Sequence, residues 1–165
     1  METDVFPNQV RAFVVETTST RETKMWGRRL ASLLQGGELL AFSGDLGAGK
    51  TCFIKGLARG LSLPEENILS PTFTMVQEHH GRLPLYHIDL YRLDYVNLED
   101  LGLREYLFSD SIAAVEWFER LHEGDQISRL VVRIGYTGAN SRRIEFSAFG
   151  ERYSSLISKF RERFS

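Results

Sequence analysis

Residues 44–51 read GDLGAGKT, and the rest of the chain can be read outward from them. The stretch fits G-x-x-x-x-G-K-[ST], whose fixed positions each have a physical job. Gly44, Gly47 and Gly49 permit positive φ and let the backbone approach an anion with no Cβ in the way. The backbone of Asp45, Leu46, Gly47, Ala48 and Gly49 can then turn successive N–H groups inward as an anion nest. That nest opens a helix whose dipole also favours negative charge. Lys50 supplies a mobile ammonium for outer phosphates, and the Thr51 hydroxyl is a ligand for Mg²⁺. At ordinary glycine usage this pattern arises by chance in roughly one chain in a hundred of this size.

The flanks supply the context that the loop needs. Glu38–Ser43 (ELLAFS) is an apolar run of strand length, and Lys50–Leu61 has helical spacing. In that helix Phe53, Ile54, Leu57, Ala58 and Leu61 share one face. Strand, glycine loop and helix in this order imply a nucleoside-phosphate binder.

At 165 residues, 42% of them hydrophobic and 25% charged, the composition suits one globular domain over 1–165. A net charge of −2 gives no sign of a nucleic-acid-coating surface, so any RNA would be held by a partner. The lone Cys52 excludes an internal disulfide and fits a reducing compartment. The start, METDVFPNQV, has neither a basic n-region nor an apolar h-region, and no apolar run approaches the ~20 residues of a membrane span. The expected location is cytoplasmic.

Residues 1–9 read as a loose tail and Arg11–Glu16 as a strand. Ser19 and Glu22 have capping-box spacing and open a helix expected to run to about Gln35, where Gly36 and Gly37 stop it. Ile68–Tyr91 holds two extended runs about a turn near His80–Arg82, and Asn97–Phe108 reads as a short helix. Ser111–Trp117 is a continuously apolar strand, buried on both faces. Arg129–Tyr136 and Arg142–Phe149 form an alternating pair, and Glu151–Phe164 a final amphipathic helix. The fold class expected is α/β, a three-layer P-loop NTPase sandwich with a mixed central sheet and the nucleotide at the carboxyl ends of the strands.

Transfer or hydrolysis also needs a carboxylate for the metal and a group to orient the nucleophile. Asp89 in YHIDLYRL and Glu116 in IAAVE both close apolar strands, and either could hold Mg²⁺ directly or through water. The more continuously apolar strand of Glu116 makes it the more central, and so the metal-side acid together with Thr51. Ser70-Pro71-Thr72 follows the loop helix where switch segments occur, which makes Thr72 a candidate γ-phosphate sensor or a plain X-Pro turn residue. His79, His80 and His87 lack the spacing of a zinc site with other ligands; the first two read as exposed turn residues, and Trp117 as core in preference to an aromatic contact for a partner or nucleotide.

The ordered set GDLGAGKT, SPTF, YHIDLYRL and VEW resembles the bacterial TsaE (YjeE) family from about Thr17 to Phe149. That resemblance implies a small P-loop ATPase using ATP and Mg²⁺ and working with the TsaB and TsaD proteins. Together they place threonylcarbamoyl on N6 of adenosine 37 in tRNAs reading codons that begin with A, with ATP hydrolysis supporting repeated cycles. By motif it carries phosphate and Mg²⁺ roles to Lys50 and Thr51, a switch role to Thr72, and acidic roles to Asp89 and Glu116. It also makes Thr20, before the first helix, a nucleotide contact, with Ser141 or Arg142 near the last strand another. Phe118 departs from the proline or small residue frequent after Glu-Trp in that family. A small-molecule kinase would also need an arginine-bearing lid, and a non-hydrolysing nucleotide sensor would share the loop alone.

Overall fold

The computed structural model describes residues 10–45, 47–69 and 75–165. The tail 1–9, Leu46, and Ser70, Pro71 and Thr72 with the rest of segment 70–74 lie outside the described residues. Strand β1 (Val10–Thr17) leads into helix α1 (Thr20–Ala31), and β2 (Leu39–Ser43) into α2 (Lys50–Gly60). A hairpin of β3 (Val76–His79) and β4 (Leu85–Asp89) follows, then the short α3 (Arg104–Leu107) and β5 (Ile112–Glu116). Strands β6 (Arg129–Tyr136) and β7 (Arg142–Phe149) precede the last helix, α4 (Glu151–Phe164).

The strands form one seven-stranded sheet in the order β1-β7-β6-β2-β5-β4-β3. Its centre is parallel, with β2 between β6 and β5 and β4 beyond. Both margins are antiparallel: β1 on β7 on β6 at one side, β3 on β4 at the other. The expected mixed α/β sheet is therefore present. The parallel strands β2 and β5 read as unbroken apolar runs because both their faces are covered.

Three helices cover one face. Phe42 of β2 meets Phe53 of α2 at 5.6 Å between ring centroids, and Phe146 of β7 meets Phe160 of α4 at 5.0 Å. Trp26 of α1 packs edge-on to Phe160 at 5.7 Å. Helices α1 and α2 touch backbone to backbone, because a Cβ on Gly56 would stand 2.0 Å from the Lys24 carbonyl oxygen. The segment carrying α3, between β4 and β5, lies over the opposite face, where Tyr106 of α3 packs on Tyr86 at 5.0 Å.

Some elements differ from expectation for local reasons. The Ser19 hydroxyl accepts from the Glu22 amide at 3.1 Å as the capping box requires, but the Glu22 carboxylate reaches back to the Thr18 amide at 2.7 Å. Helix α1 ends at Ala31, not Gln35. The Ser32 hydroxyl donates to the Arg29 carbonyl at 2.6 Å, and the chain continues in tighter turns, Leu33 N–H to Leu30 O and Leu34 N–H to Ala31 O. The helix expected over Asn97–Phe108 is broken in two, a 3₁₀ turn at Glu99–Leu101 and then α3. Gly102 turns left-handed between them at φ 62°, which brings Leu98, Leu103 and Leu107 all into the core. His79 is the half-buried last residue of β3 and not an exposed turn residue; His80 is exposed. Among the described residues no helix is long and apolar enough to cross a membrane.

Candidate functional site

Strand β2 delivers the glycine loop to the carboxyl edge of the sheet. Gly44 adopts φ 138°, and a Cβ there would sit 2.2 Å from the Ile134 carbonyl oxygen. Gly47 and Gly49 are left-handed at φ 80° and 109°, so the positive φ that the motif implies is present at all three. Gly49 caps α2 with no side-chain hydrogen bond, leaving the first amides of the helix facing the loop. Ala48 is buried and its amide donates to the Asp45 carbonyl at 3.0 Å.

Lys50, the first residue of α2, donates its ammonium to the Gly44 carbonyl at 2.7 Å and lies 4.1 Å from the centre of the Trp117 ring. It is only 4% exposed, and burial pushes its pKa below the ordinary lysine value. Glu116, Glu119, Asp89 and Asp45 pull the other way, each a carboxylate within electrostatic reach of the ammonium. Trp117 is thus half-buried and serves as the floor under Lys50, where sequence reading placed it in the core. Its backbone is left-handed at φ 60°, and the 3₁₀ turn Phe118–Arg120 starts directly after it. Phe118 is buried and packs on the Arg129 guanidinium at 5.1 Å, which gives the departure after Glu-Trp an anchoring role.

The loop is held from its other side by the β6–β7 pair. The Tyr136 hydroxyl donates to the Gly47 carbonyl, and Arg142 Nε donates to the Ala48 carbonyl at 2.8 Å. The Arg142 guanidinium stacks on the Tyr136 ring at 4.2 Å, and its Nη1 donates to the Ser141 carbonyl at 2.9 Å. Arg142 is therefore at the loop, grasping its backbone. Thr20, the exposed first residue of α1, accepts on its carbonyl from Cys52 Sγ at 3.5 Å, which places it beside the first turn of α2. The half-buried Thr51 lies in that same turn.

Strands β4 and β5 bring the acids in. Asp89 and Glu116 are register partners at the ends of adjacent parallel strands, and Glu116 is also in register with Phe42 on β2. Directly paired residues share a face of the sheet, so both acids lie on the face that α2 covers. Asp89 and Glu116 are 8% and 4% exposed. Asp89 Oδ1 accepts from the Tyr91 amide at 2.9 Å, and Glu116 Oε2 pairs with Nε2 of the fully buried His87 at 2.7 Å.

One hydroxyl and two carboxylates are hard oxygen donors of the kind that suit Mg²⁺, which keeps waters and is completed by substrate phosphates more often than by a protein cage. Among the described residues no group of three or more His, Cys, Asp or Glu side chains is arranged to hold a metal ion. Thr51, Glu116 and Asp89 thus fit Mg²⁺ arriving with a nucleotide. The structure brings Asp45, Gly47, Ala48, Gly49, Lys50, Thr51, Thr20, Arg142, Asp89 and Glu116 to one end of the sheet. Sequence reading missed His87 and Tyr136. The one available signal was a histidine two residues before Asp89, on the same face by alternation.

Residues 17–144 match the family described as threonylcarbamoyl adenosine biosynthesis protein TsaE. The chain belongs to the TsaE family. It is 42% identical over 141 residues to the tRNA threonylcarbamoyladenosine biosynthesis protein TsaE of Bacillus subtilis, covering 85% of this chain and 88% of that one. The TsaE of Treponema pallidum is 46% identical over 106 residues, 62% of this chain and 76% of its own. A crystal structure of YdiB from Bacillus subtilis superposes with a TM-score of 0.79 at 34% identity, covering 94% of this chain and 98% of that one. The TsaE match takes in the glycine loop, both acids, Tyr136 and Arg142, and the shared fold is of the P-loop NTPase type.

Proposed function

We propose that the chain is a Mg²⁺-dependent ATPase that acts with TsaB and TsaD in the cytoplasm. There it supports formation of the threonylcarbamoyl group on N6 of adenosine 37 of tRNAs reading codons that begin with A. The observation that carries the ATPase reading is the convergence of Lys50, Asp89 and Glu116 on the loop Gly44–Thr51. The names of the relatives carry the tRNA part.

The residues divide the work in a simple way. Loop amides and Lys50 bind the phosphates, Lys50 exchanging its bond to the Gly44 carbonyl for phosphate oxygens. Thr51 and Glu116 would hold Mg²⁺, which when bound would offset the negative charge of the phosphates. Asp89 lies beside Glu116, where it can orient the attacking water, and Thr72 has the switch role that its sequence position suggests. Arg142 is engaged with the Ala48 carbonyl of the loop and the Ser141 carbonyl of its own turn and so does not serve as the arginine that some P-loop enzymes place over the γ-phosphate, a group contributing ~10³–10⁵ in rate. This supports slow hydrolysis by the chain alone and completion of the site by partners.

The test is steady-state phosphate release from ATP and from GTP, with and without TsaB and TsaD. Preference for ATP, slow turnover alone and a change on adding the partners are expected. Fast turnover indifferent to TsaB and TsaD would falsify the partner-dependent scheme and favour the kinase alternative.

A further inference from the structure

Behind Glu116 lies a buried polar patch that the phosphate loop does not explain. His87 is 0% exposed in the middle of β4, and among the described residues its imidazole makes one hydrogen bond, Nε2 to Glu116 Oε2 at 2.7 Å. A carboxylate can only accept, so Nε2 carries the proton and donates. Among the described residues its Nδ1 is buried without a hydrogen-bond partner, as are Oε1 of Gln77, directly opposite on β3, and Nε2 of His79, two residues further along β3. A histidine so placed is costly as a packing residue alone, because its Nδ1 is taken out of water with no compensating hydrogen bond.

The register explains how it reaches its partner. His87 stands opposite Ala114 on β5, and Glu116 is two residues beyond Ala114 on the same face. The small Ala114 side chain leaves the imidazole room to lean along β5 to the carboxylate. Glu116 is a long side chain at a strand end, and without this bond it has several staggered rotamers available.

We infer that His87 is a positioning residue that fixes the rotamer of Glu116, holding Oε2 so that the other carboxylate oxygen is presented to the loop and its metal. The inference rests on the reading of Glu116 as the metal-side acid. It adds a requirement that this reading does not contain, a donor on β4. Such supporting hydrogen bonds to metal ligands typically contribute about 10–100-fold in metal affinity or activity.

The experiment is calorimetric titration of ADP into the full chain, in EDTA and at a series of Mg²⁺ concentrations, with melting temperature recorded for each variant. His87→Leu keeps volume and removes the donor. His87→Gln can still reach Glu116 with an amide N–H, while His87→Asn is too short and serves in place of the leucine variant should that one not fold. For His87→Leu or His87→Asn, the Mg²⁺ concentration that enhances ADP binding should rise about 10–100-fold, with affinity in EDTA unchanged. His87→Gln should return to within about threefold of the parent, a partial rescue that packing alone does not give. An unchanged Mg²⁺ dependence in the leucine and asparagine variants overturns the inference. So does an equal loss of affinity in EDTA with no rescue by glutamine, which marks a structural role. If the unsubstituted chain itself binds ADP without regard to Mg²⁺, the metal-site reading fails, and this inference fails with it.

Discussion

Asp89 and Glu116 end neighbouring parallel strands as register partners, and the Leu90 amide locks them together by donating to the Glu116 carbonyl at 3.1 Å. The pair has unequal company. Glu116 is on the strand next to β2 and in register with Phe42, two residues before Gly44, whereas Asp89 is one strand further out and receives the Tyr91 amide. Glu116→Gln should therefore raise the Mg²⁺ concentration for half-maximal ATP hydrolysis by about 10–100-fold. Asp89→Asn should chiefly slow turnover at saturating Mg²⁺. Measuring both parameters in both variants checks the ranking, and the opposite pattern would exchange the two roles.

Lys50 gives a prediction in which function and stability move apart. Burial holds its pKa below the ordinary lysine value of 10.5, even with four carboxylates opposing the shift. Between the depressed value and 10.5 the folded chain binds fewer protons than the unfolded one, so this position's contribution to stability rises with pH across that window. Below the window the ammonium costs stability in full. Lys50→Met, uncharged and of similar length, should therefore be more stable than the parent at neutral pH, with the gap narrowing as pH climbs towards 10.5. Its ATP affinity should fall by about 10²-fold, since hydrogen bonds to charged groups contribute about 1.5–3 kcal/mol each. Urea unfolding at neutral and alkaline pH, with calorimetry for ATP, reads both halves.

The Tyr153 hydroxyl of α4 accepts from the Leu39 amide at 2.8 Å, at the point where β2 begins. Both residues are buried. Tyr153→Phe leaves that amide without a partner and without water, which costs about 1–3 kcal/mol. The urea midpoint should fall at unchanged slope, and ATP affinity should stay near the parent's because the loop lies at the other end of β2. A midpoint within experimental error of the parent would show that the amide finds another acceptor.

How far the sequence could be read follows from the range over which each feature is decided. The loop, β2, α2, the β6–β7 pair and α4 are written in local spacing, and their residues occupy the expected elements. The end of α1 depends on one serine hydroxyl turning back to Arg29, and the break at Gly102 on three leucines sharing one core. Neither is visible in helical periodicity. His87 was missed for a stronger reason: its partner Glu116 is 29 residues away and becomes adjacent only when β4 pairs with β5. Tyr136 and Arg142 likewise acquire meaning from the hairpin that carries them back over Gly47 and Ala48. Arg142 was identified by family resemblance, with no local signal for the carbonyl that it holds.

The clamp those two residues form yields the last prediction. Tyr136 and Arg142 each donate to a carbonyl of the phosphate loop, and they are stacked on one another at 4.2 Å. With Gly47 and Ala48 carbonyls drawn towards the β6–β7 turn, the loop amides are free to face the opposite way, towards phosphate. Removing either donor should let the loop sample other conformations before nucleotide arrives, and that disorder is then a cost of binding. Arg142→Ala loses a charged donor and the stack, and should weaken ATP by about tenfold, whereas Tyr136→Phe keeps the ring and should weaken it about threefold. Because the residues touch, the double variant should lose less than the product of the single effects. Hydrogen exchange at the Gly47, Ala48 and Gly49 amides, measured without nucleotide, separates this clamp from any direct contact of Arg142 with ATP. Faster exchange in both variants is expected. Parental exchange rates alongside weakened ATP binding would assign Arg142 to the nucleotide and remove it from the loop.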